Sequence, residues 1–271
     1  MSDAASAGEQ RVRVAVEEHV AIVTLSRPDK HNALDLPMFE GIVAAAERLA
    51  TEPDVRAVVL HGDGPSFCSG LDLAALMSAS PGGDGIVSRL SEPPPNFFQR
   101  PSCEWARVPV PVIAAIHGAC FGGGLQIALG ADIRIGAPDA RLSVMEVRWG
   151  LIPDMGITRA LPRLVGIDVA KELTFTGRVL SGTDAKSLGL LTHLGEDPLA
   201  TARGLAAEIA TRSPDAVRAA KRLFDEAWGS PADESLTLEA ELQSRLIGSR
   251  NQLAAVTAGL SGEPAEFVDP A

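Results

Sequence analysis

The chain has 271 residues, which is enough for one large domain or for one domain with a smaller appendage. It carries 24 Lys and Arg against 35 Asp and Glu, and the net charge of -11 disfavours general binding of nucleic acids or anionic membranes. With 46% hydrophobic and 22% charged residues, the composition is that of a folded globular protein and excludes wholesale disorder.

The first ten residues, MSDAASAGEQ, contain no basic cluster and no apolar run of signal-peptide length. We therefore expect a cytoplasmic protein with a flexible tail over residues 1–10. The longest apolar stretch, 108–129, is interrupted by prolines, a histidine and three glycines, so it predicts no membrane helix. The three cysteines lack CxxC spacing and the five histidines lack HxxxH or HExxH spacing, so we expect no metal site.

The first elements follow from hydrophobic periodicity. Alternating valines over 12–16 and the apolar run 20–25 predict a hairpin of two strands. Asp35 followed by Pro37 indicates a helix start, and apolar residues then recur at helical spacing to Leu49. Residues 55–60 predict a buried strand that ends in a glycine-rich loop.

Residues 78–111 hold seven of the 19 prolines, which predicts a long irregular loop. The pair Phe97 and Phe98 favours a lid over a linker. After it, the pattern predicts a strand over 110–116, a helix over 122–129 and a strand over 133–135.

The last quarter of the chain is predicted to be helical. Candidate helices cover 199–211, 214–228 and 234–248, and residues 261–271 are predicted to form a tail. Strands with crossover helices followed by helices alone predict an α/β core over 11–198 and a helical region over 199–260.

The strongest local signal is the run Gly122-Gly123-Gly124 before a predicted helix. Consecutive glycines allow a close backbone approach to a ligand, and the following helix start offers free N–H groups to a negative oxygen. Tight packing of the helix on a strand is the alternative interpretation of the same glycines. The run fits neither GxGxxG nor GxxxxGK[ST], so a phosphate-binding loop is disfavoured.

A second glycine-rich loop spans residues 64–73. A nucleophilic Ser66, Cys68 or Ser69 is disfavoured, because GxSxG would need glycine at position 68 and no base can be assigned. The loop can still present a backbone N–H beside Gly70. Together the two loops could form a two-donor pocket for a developing oxyanion.

Two acids, Glu146 and Asp154, lie eight residues apart among apolar side chains. An acid in apolar surroundings has a raised pKa, which suits proton transfer near neutral pH. The alternative is that Glu146 is solvated at a strand edge and that Asp154 caps the next helix.

Together these segments resemble the crotonase superfamily, the enoyl-CoA hydratase/isomerase family, over about residues 12–250. The matching segments are SRPDKHNALD (26–35), SFCSGLDL (66–73), PVIAAIHGACFGGGLQIALGADIRI (111–135), SVMEVRWGLIPDMG (143–156) and ELTFTGRVLSGTDAKSLGL (172–190). The resemblance implies an α/β fold, a crotonase-like spiral of ββα units with a C-terminal helical trimerisation region. It also implies trimers, often paired into hexamers.

The resemblance further implies a substrate site for an acyl-CoA thioester, with no cofactor beyond the CoA of the substrate. Its carbonyl would be bound by the backbone N–H groups of Ser69 and Gly123. The implied substrate and CoA contacts are Lys30, His31, Ala33, Leu34, Cys68, Asp72, Leu73, Gly122 and Trp149.

At the catalytic positions the resemblance is partial. Hydratases of the family carry two glutamates, and the matching residues here are Gln126 and Glu146; an amide cannot exchange a proton, so Gln126 would position water or substrate. The dienoyl-CoA isomerases have a second acid where Asp154 stands, although they also carry an acid at position 126. The resemblance thus implies isomerisation of (di)enoyl-CoA in fatty-acid metabolism, with Glu146 and Asp154 as catalytic residues. The alternatives are hydration of 2-enoyl-CoA, other enolate chemistry such as hydrolysis or decarboxylation, and a scaffold or RNA-binding protein, which the net charge of -11 disfavours.

Overall fold

A six-stranded sheet forms the centre of the computed structural model, which describes residues 10–79 and 82–270. Its strands in spatial order are β1 (Val12–Glu17), β2 (Val20–Leu25), β3 (Ala57–Gly62), β4 (Val112–Ile116), β6 (Ile133–Gly136) and β9 (His193–Leu194). Only the pair β1 and β2 is antiparallel, and it is the predicted hairpin. The tail predicted over 1–10 lies outside the described residues except for Gln10.

Both faces of the sheet are buried, because alternate side chains of each strand enter two different apolar clusters. On β2, Ala21, Val23 and Leu25 face one cluster, and Val20 and Ile22 face the other. Helix α1 (Leu36–Ala50) covers the first face and helix α9 (Pro198–Ala210) the second.

A second sheet of three short strands is stacked at the carboxyl end of the first. It contains β5 (Ala119–Phe121), β7 (Arg141–Ser143) and β8 (Leu180–Ser181) in the order β5-β7-β8. The sequence analysis missed these strands, whose two or three residues are too short to show a period. Through this sheet, the segment after β5 lies beside the segment after β7: the Gly122 N–H donates to the Ser143 carbonyl oxygen at 2.9 Å.

Helices α1, α8 (Gly182–Leu188), α9, α10 (Pro214–Ala227) and α12 (Arg250–Ser261) each begin after a side chain that accepts from one of their first free N–H groups. As predicted, Asp35 caps α1, and its carboxylate accepts from the Met38 N–H. The remaining helices are α2 (Leu73–Ala79), α3 (Asp84–Leu90), α4 (Arg100–Cys103), α5 (Gly123–Leu129), α6 (Ile157–Leu164), α7 (Ile167–Thr176) and α11 (Ala232–Leu246). Short 3-10 helices cover Pro28–Lys30, Glu104–Arg107 and Glu146–Trp149.

The prediction of an irregular lid over 78–111 is wrong in its described part. Helices α3 and α4 lie within it, and the Phe97 and Phe98 rings pack on each other and on Phe39 of α1, with centroids 5.2–5.5 Å apart. The aromatic pair therefore fastens this segment to the core, because burying large rings against Phe39 stabilises it more than exposing them on a lid would.

The C-terminal region contains one helix more than predicted, α12. The signal that could have identified it is Ser249 followed three residues later by Gln252. Ser249 Oγ accepts from the Gln252 N–H, and Gln252 Oε1 accepts from the Gly248 N–H. The final residues are also not a free tail as far as they are described: Asp269 pairs with Arg56 at 2.8 Å, and Val268 exchanges two hydrogen bonds with Asn251. Among the described residues, no helix is long and apolar enough to span a bilayer.

One buried side chain, Asn32, joins the segment before α1 to the loop after β3. Its Nδ2 lies 2.8–3.2 Å from the carbonyl oxygens of Asp63, Ser66 and Phe67, and its Oδ1 accepts from the Arg27 N–H. Asn32 is fully buried with φ 55°, a conformation that asparagine tolerates better than most residues. This amide therefore sets the path of the 64–73 loop.

Replacing Asn32 with Gly should lower the free energy of unfolding by about 2–4 kcal/mol, because several buried backbone groups lose their partners while the positive φ remains allowed. Urea denaturation followed by circular dichroism measures the change. The control is Arg178→Ala, which breaks an exposed ion pair with Glu172 and should cost less than about 1 kcal/mol. Equal stability of Asn32→Gly and the wild type would contradict this account of the loop.

Candidate active site

A cavity of about 360 Å³ opens where the loop after β3, the start of α5 and the 3-10 helix Glu146–Trp149 meet. Most of the residues predicted for the site line it: Lys30, Ala33, Ser69, Asp72, Leu73, Gly122, Gly123, Glu146 and Trp149. The other predicted residues, namely His31, Leu34, Cys68, Gln126 and Asp154, are not part of its wall.

The three glycines at the start of α5 have different roles. The run serves both of the interpretations considered above, close approach of the backbone to the site and tight helix packing. Gly122 has φ 51°, and a Cβ there would lie 3.3 Å from Glu146 Oε1, so this position keeps the backbone close to the carboxylate. A Cβ on Gly124 would lie 2.5 Å from the Cys68 carbonyl oxygen, so this glycine serves packing. Gly123 contributes its N–H, which donates to no described acceptor.

Glu146 is a buried carboxylic acid with one free oxygen. It is only 7% exposed, so the alternative of a solvated residue at a strand edge is wrong. Its Oε1 accepts from Gln126 Nε2 at 2.6 Å, whereas Oε2 has no hydrogen-bond partner among the described residues. Burial raises the pKa of Glu146, and the nearby Asp154 carboxyl adds to this rise, whereas backbone N–H groups and the hydrogen bond from Gln126 oppose it.

Gln126 is held by the backbone in the orientation that serves Glu146. Its Oε1 accepts from the Met155 N–H at 2.8 Å, so its amide nitrogen must face the carboxylate. The side chain is 2% exposed. Gln126 therefore donates directly to the Glu146 carboxylate and positions it; the prediction had been that Gln126 positions water or substrate.

Asp154 stands one residue before Met155 and is half-buried. The alternative of a helix cap is wrong, because α6 begins after Gly156 without a side-chain cap. No ion pair joins Asp154 to a described cation, and burial raises the pKa of its carboxyl. The segment thus carries two acids of raised pKa, of which only Glu146 lines the cavity.

The two predicted oxyanion donors differ in availability. The Gly123 N–H is free, but the Ser69 N–H donates to the His31 carbonyl oxygen at 2.9 Å. His31 adopts φ 51°, the left-handed conformation that directs this carbonyl toward the loop. An acyl oxygen that used both donors would have to share or displace the His31 carbonyl.

Charges at the mouth of the cavity are partly neutralised. The Asp72 carboxylate pairs with Arg27 at 2.9 Å and caps α2 by accepting from the Ala75 N–H, and these donors lower its pKa. Arg27 also lies 3.6 Å from Asp35 and donates to the Ala33 carbonyl oxygen. Lys30 makes no ion pair with a described residue, so its charge remains available at the rim.

The predicted residues outside the cavity wall have structural contacts. His31 Nδ1 is 2.9 Å from Ser66 Oγ, and Leu34 is fully buried beneath Gly123. Cys68 is fully buried, its thiol donates to the Asn32 carbonyl oxygen, and burial raises its pKa to about 12. A thiol with so high a pKa is a poor nucleophile, which agrees with the expectation that Cys68 is not a catalytic nucleophile.

Sequence reasoning missed several contributors. The cavity wall also includes Gly70, Leu71, Phe121, Met145 and Leu151. The backbone N–H of Met155 and the guanidinium of Arg27 were missed because a backbone donor has no sequence signature and an arginine in a loop has no period. Within residues 10–79 and 82–270, no group of three or more His, Cys, Asp or Glu could hold a metal ion.

Comparison with known proteins places this chain in a family. Residues 15–261 match the model of the family described as enoyl-CoA hydratase/isomerase. The chain is 32% identical to the mitochondrial methylglutaconyl-CoA hydratase of Mus musculus, covering 98% of this chain and 85% of the relative. It is also 32% identical to the mitochondrial Delta(3,5)-Delta(2,4)-dienoyl-CoA isomerase of Rattus norvegicus, covering 94% and 80%. The crystal structure of an enoyl-CoA hydratase from Bacillus anthracis superposes with a TM-score of 0.88 at 30% identity, covering 95% of this chain and 99% of that one.

Burial of Glu146 predicts a specific dependence of stability on pH. Because its pKa is raised, the folded protein holds this proton more tightly than the unfolded chain, and the buried carboxylate lowers stability as pH rises above about 4.3. Glu146→Gln removes this effect, so its melting temperature relative to wild type should increase as the pH rises from about 4.3 toward neutrality.

Differential scanning fluorimetry across this range checks the prediction. The control is Glu40→Gln on the exposed side of α1, whose difference from wild type should not show this trend. A pH-independent difference for Glu146→Gln would mean that the Glu146 carboxyl titrates alike in the folded and unfolded states.

Proposed function

The chain belongs to the enoyl-CoA hydratase/isomerase family, and within this family of enzymes we propose that it shifts double bonds in enoyl-CoA and 3,5-dienoyl-CoA thioesters. The observation that carries the proposal is one buried carboxylate with a free oxygen, Glu146 Oε2, beside the free N–H of Gly123. A base and an oxyanion donor at one cavity are what proton removal next to a thioester carbonyl requires.

The proposed reaction begins at carbon 2 of the acyl group. Glu146 Oε2 takes a proton from this carbon, and the electron pair of the broken C–H bond forms an enolate whose negative oxygen lies at Gly123. Reprotonation at carbon 4 moves the double bond from position 3 to position 2. The proton that Glu146 gains is the one it returns, so a single acid suffices and Gln126 need not exchange protons.

A 3,5-diene needs a second proton site. Its proton must be delivered at carbon 6, and we assign that delivery to Asp154, which on this proposal carries the proton before the step; burial raises the pKa of its carboxyl. Afterwards Glu146 holds a proton and Asp154 has lost one, so exchange with solvent restores both groups.

The rim supports the binding of a CoA thioester. Lys30 supplies an unpaired cation for a phosphate, and Trp149, which is 63% exposed, offers an apolar surface beside it. Asp72 is already held by Arg27, so we assign it to the rigidity of the rim. On this proposal the reaction requires no cofactor beyond the CoA of the substrate.

We also propose assembly into trimers or hexamers. Support comes from large apolar side chains on the last two helices that remain exposed in the single chain, namely Leu236, Leu253 and Leu260. The mass measured by light scattering tests this assignment.

Glu146→Gln should lower turnover of 3-enoyl-CoA and 3,5-dienoyl-CoA by at least about 100-fold, because the base is lost while the shape is kept. Formation of the conjugated thioester, followed by its absorbance, measures both reactions. Glu40→Gln is the matched control and should retain wild-type rates. Unchanged turnover in Glu146→Gln would contradict the assignment of the base.

Asp154→Asn separates the two isomerisations. It should lower the 3,5-dienoyl reaction by at least about tenfold, because an amide cannot supply the proton at carbon 6, and should change the 3-enoyl reaction by less than about twofold. The ratio of the two rates in one preparation makes the comparison independent of folding yield. Equal losses on both substrates would contradict a specific role for Asp154.

Hydration of 2-enoyl-CoA is the second candidate, and the methylglutaconyl-CoA hydratase relative favours it. Gln126→Glu should raise hydration of crotonyl-CoA by at least about tenfold if the missing second carboxylate limits it. The Met155 N–H would hold one oxygen of the new acid, as it now holds Gln126 Oε1. Loss of the conjugated absorbance measures the rate, and an unchanged rate would mean that the site lacks a place for water.

A further inference from the structure

A second cavity, of about 300 Å³, lies at the carboxyl end of α5, whereas the candidate active site lies at its start. Its wall comes from α4, the turn after α5, α6 and the end of α10. It shares no lining residue with the cavity at Glu146. The reaction proposed above makes no use of it.

The floor of this second cavity carries a buried positive charge. Arg134 is 5% exposed, and its Nε and Nη1 donate to the carbonyl oxygens of Leu190 and Ala131. Its Nη2 makes no hydrogen bond to a described residue, and no described carboxylate lies within 4.0 Å of its guanidinium. Asp132 is near enough for its charge to act on Arg134, but it forms no ion pair with it. A buried cation without a direct ion-pair partner is costly, so its position at a cavity wall points to an anion.

Two more arginines line the same cavity. Arg159 and Arg163 lie one turn apart on α6, and both are exposed. Neither forms an ion pair or a side-chain hydrogen bond with a described residue, although the protein as a whole has a net charge of -11. Like charges at this spacing repel each other, and a bound anion would remove that repulsion.

The acids of the cavity do not cancel these charges. Asp132 is engaged by Lys221 Nζ and by the Val112 N–H, both at 2.7 Å. Asp225 lies close enough to both α6 arginines to feel their charges, but it pairs with neither. Three guanidinium groups therefore face one free carboxylate, which leaves an excess of two positive charges.

We propose that this cavity binds a small oxyanion with about two negative charges, the class that includes a phosphate group and a dicarboxylate. The guanidinium of arginine presents paired N–H donors that match two oxygens of such an ion. Apolar side chains of Leu129, Ala160 and Leu164 line the remaining wall and limit the size of the ligand.

The cavity is also joined to the scaffold of the active site. Ser102, which lines it, donates from Oγ to the Gln126 carbonyl oxygen at 2.8 Å, and Gly156 follows the residue whose N–H holds the Gln126 side chain. The binding proposal does not rest on the proposed reaction, and its test measures binding alone.

The test titrates inorganic phosphate, pyrophosphate and malonate into the full-length protein by isothermal titration calorimetry at constant ionic strength, so that general screening stays fixed. We expect at least one of the three to bind with a submillimolar Kd. The variant Arg159→Gln/Arg163→Gln should weaken that binding by at least about tenfold. Preference for phosphate or for malonate distinguishes the two sources of the anion.

The matched control is Arg13→Gln/Arg48→Gln, which removes the same charge from two exposed arginines paired with Asp63 and Glu52, and its Kd should stay within about twofold of wild type. No binding of any of the three anions, or equal weakening in both variants, would overturn the proposal. A smaller mass by light scattering for Arg159→Gln/Arg163→Gln alone would also overturn it, because the arginines would then face a second copy of the chain.

Discussion

The hydrogen bond between Gln126 and Glu146 is the interaction on which the candidate site depends. A buried carboxylate costs free energy unless it is hydrogen-bonded, and a glutamate with both oxygens satisfied would be a weak base. Here one oxygen is satisfied and the other is not. The backbone N–H of Met155 enforces this division, because it decides which end of the Gln126 amide faces the acid. The Met155 N–H thus fixes the orientation of the Gln126 amide, and Glu146 Oε2 is the carboxylate oxygen that stays free to react.

This arrangement requires three chain segments to meet within hydrogen-bond distance, and the small sheet accomplishes that. The loop after β3 is tied to the strand before α5 by the Cys68 N–H and the Phe121 N–H, each of which donates to the other segment at 3.0 Å. The Gly122 N–H then reaches β7, three residues before Glu146. Asn32 holds the loop from the opposite side. Backbone hydrogen bonds therefore place the groups of the site, and the side chains supply the chemistry.

The predictions from sequence are most accurate where a pattern has a period. The hairpin, α1 and the strands and helix around residues 112–136 were predicted within two residues, because each is marked by an apolar period or by a continuous apolar run. Predictions failed where tertiary contacts decide. Phe97 and Phe98 were assigned to a lid because no local sequence signal shows that they pack on Phe39 of α1. The occupied Ser69 N–H, the Met155 donor and the pairing of Arg27 with Asp72 each join residues 29–45 positions apart, and the first two also depend on backbone atoms. Contacts of this kind leave no pattern in the sequence.

The same geometry explains why membership of the family does not by itself select a reaction. An oxyanion donor beside a base stabilises an enolate whatever follows, so the step that distinguishes isomerisation from hydration lies in the second proton carrier. A hydratase and a dienoyl-CoA isomerase are both 32% identical to this chain. These identities therefore do not distinguish isomerisation from hydration. The side chains at positions 126 and 154 bear on that step directly. On the proposed function, the amide at 126, held at both ends, leaves Glu146 without a neighbouring proton carrier, and the unpaired acid at 154 would supply one. On that proposal, these two positions select between the two reactions.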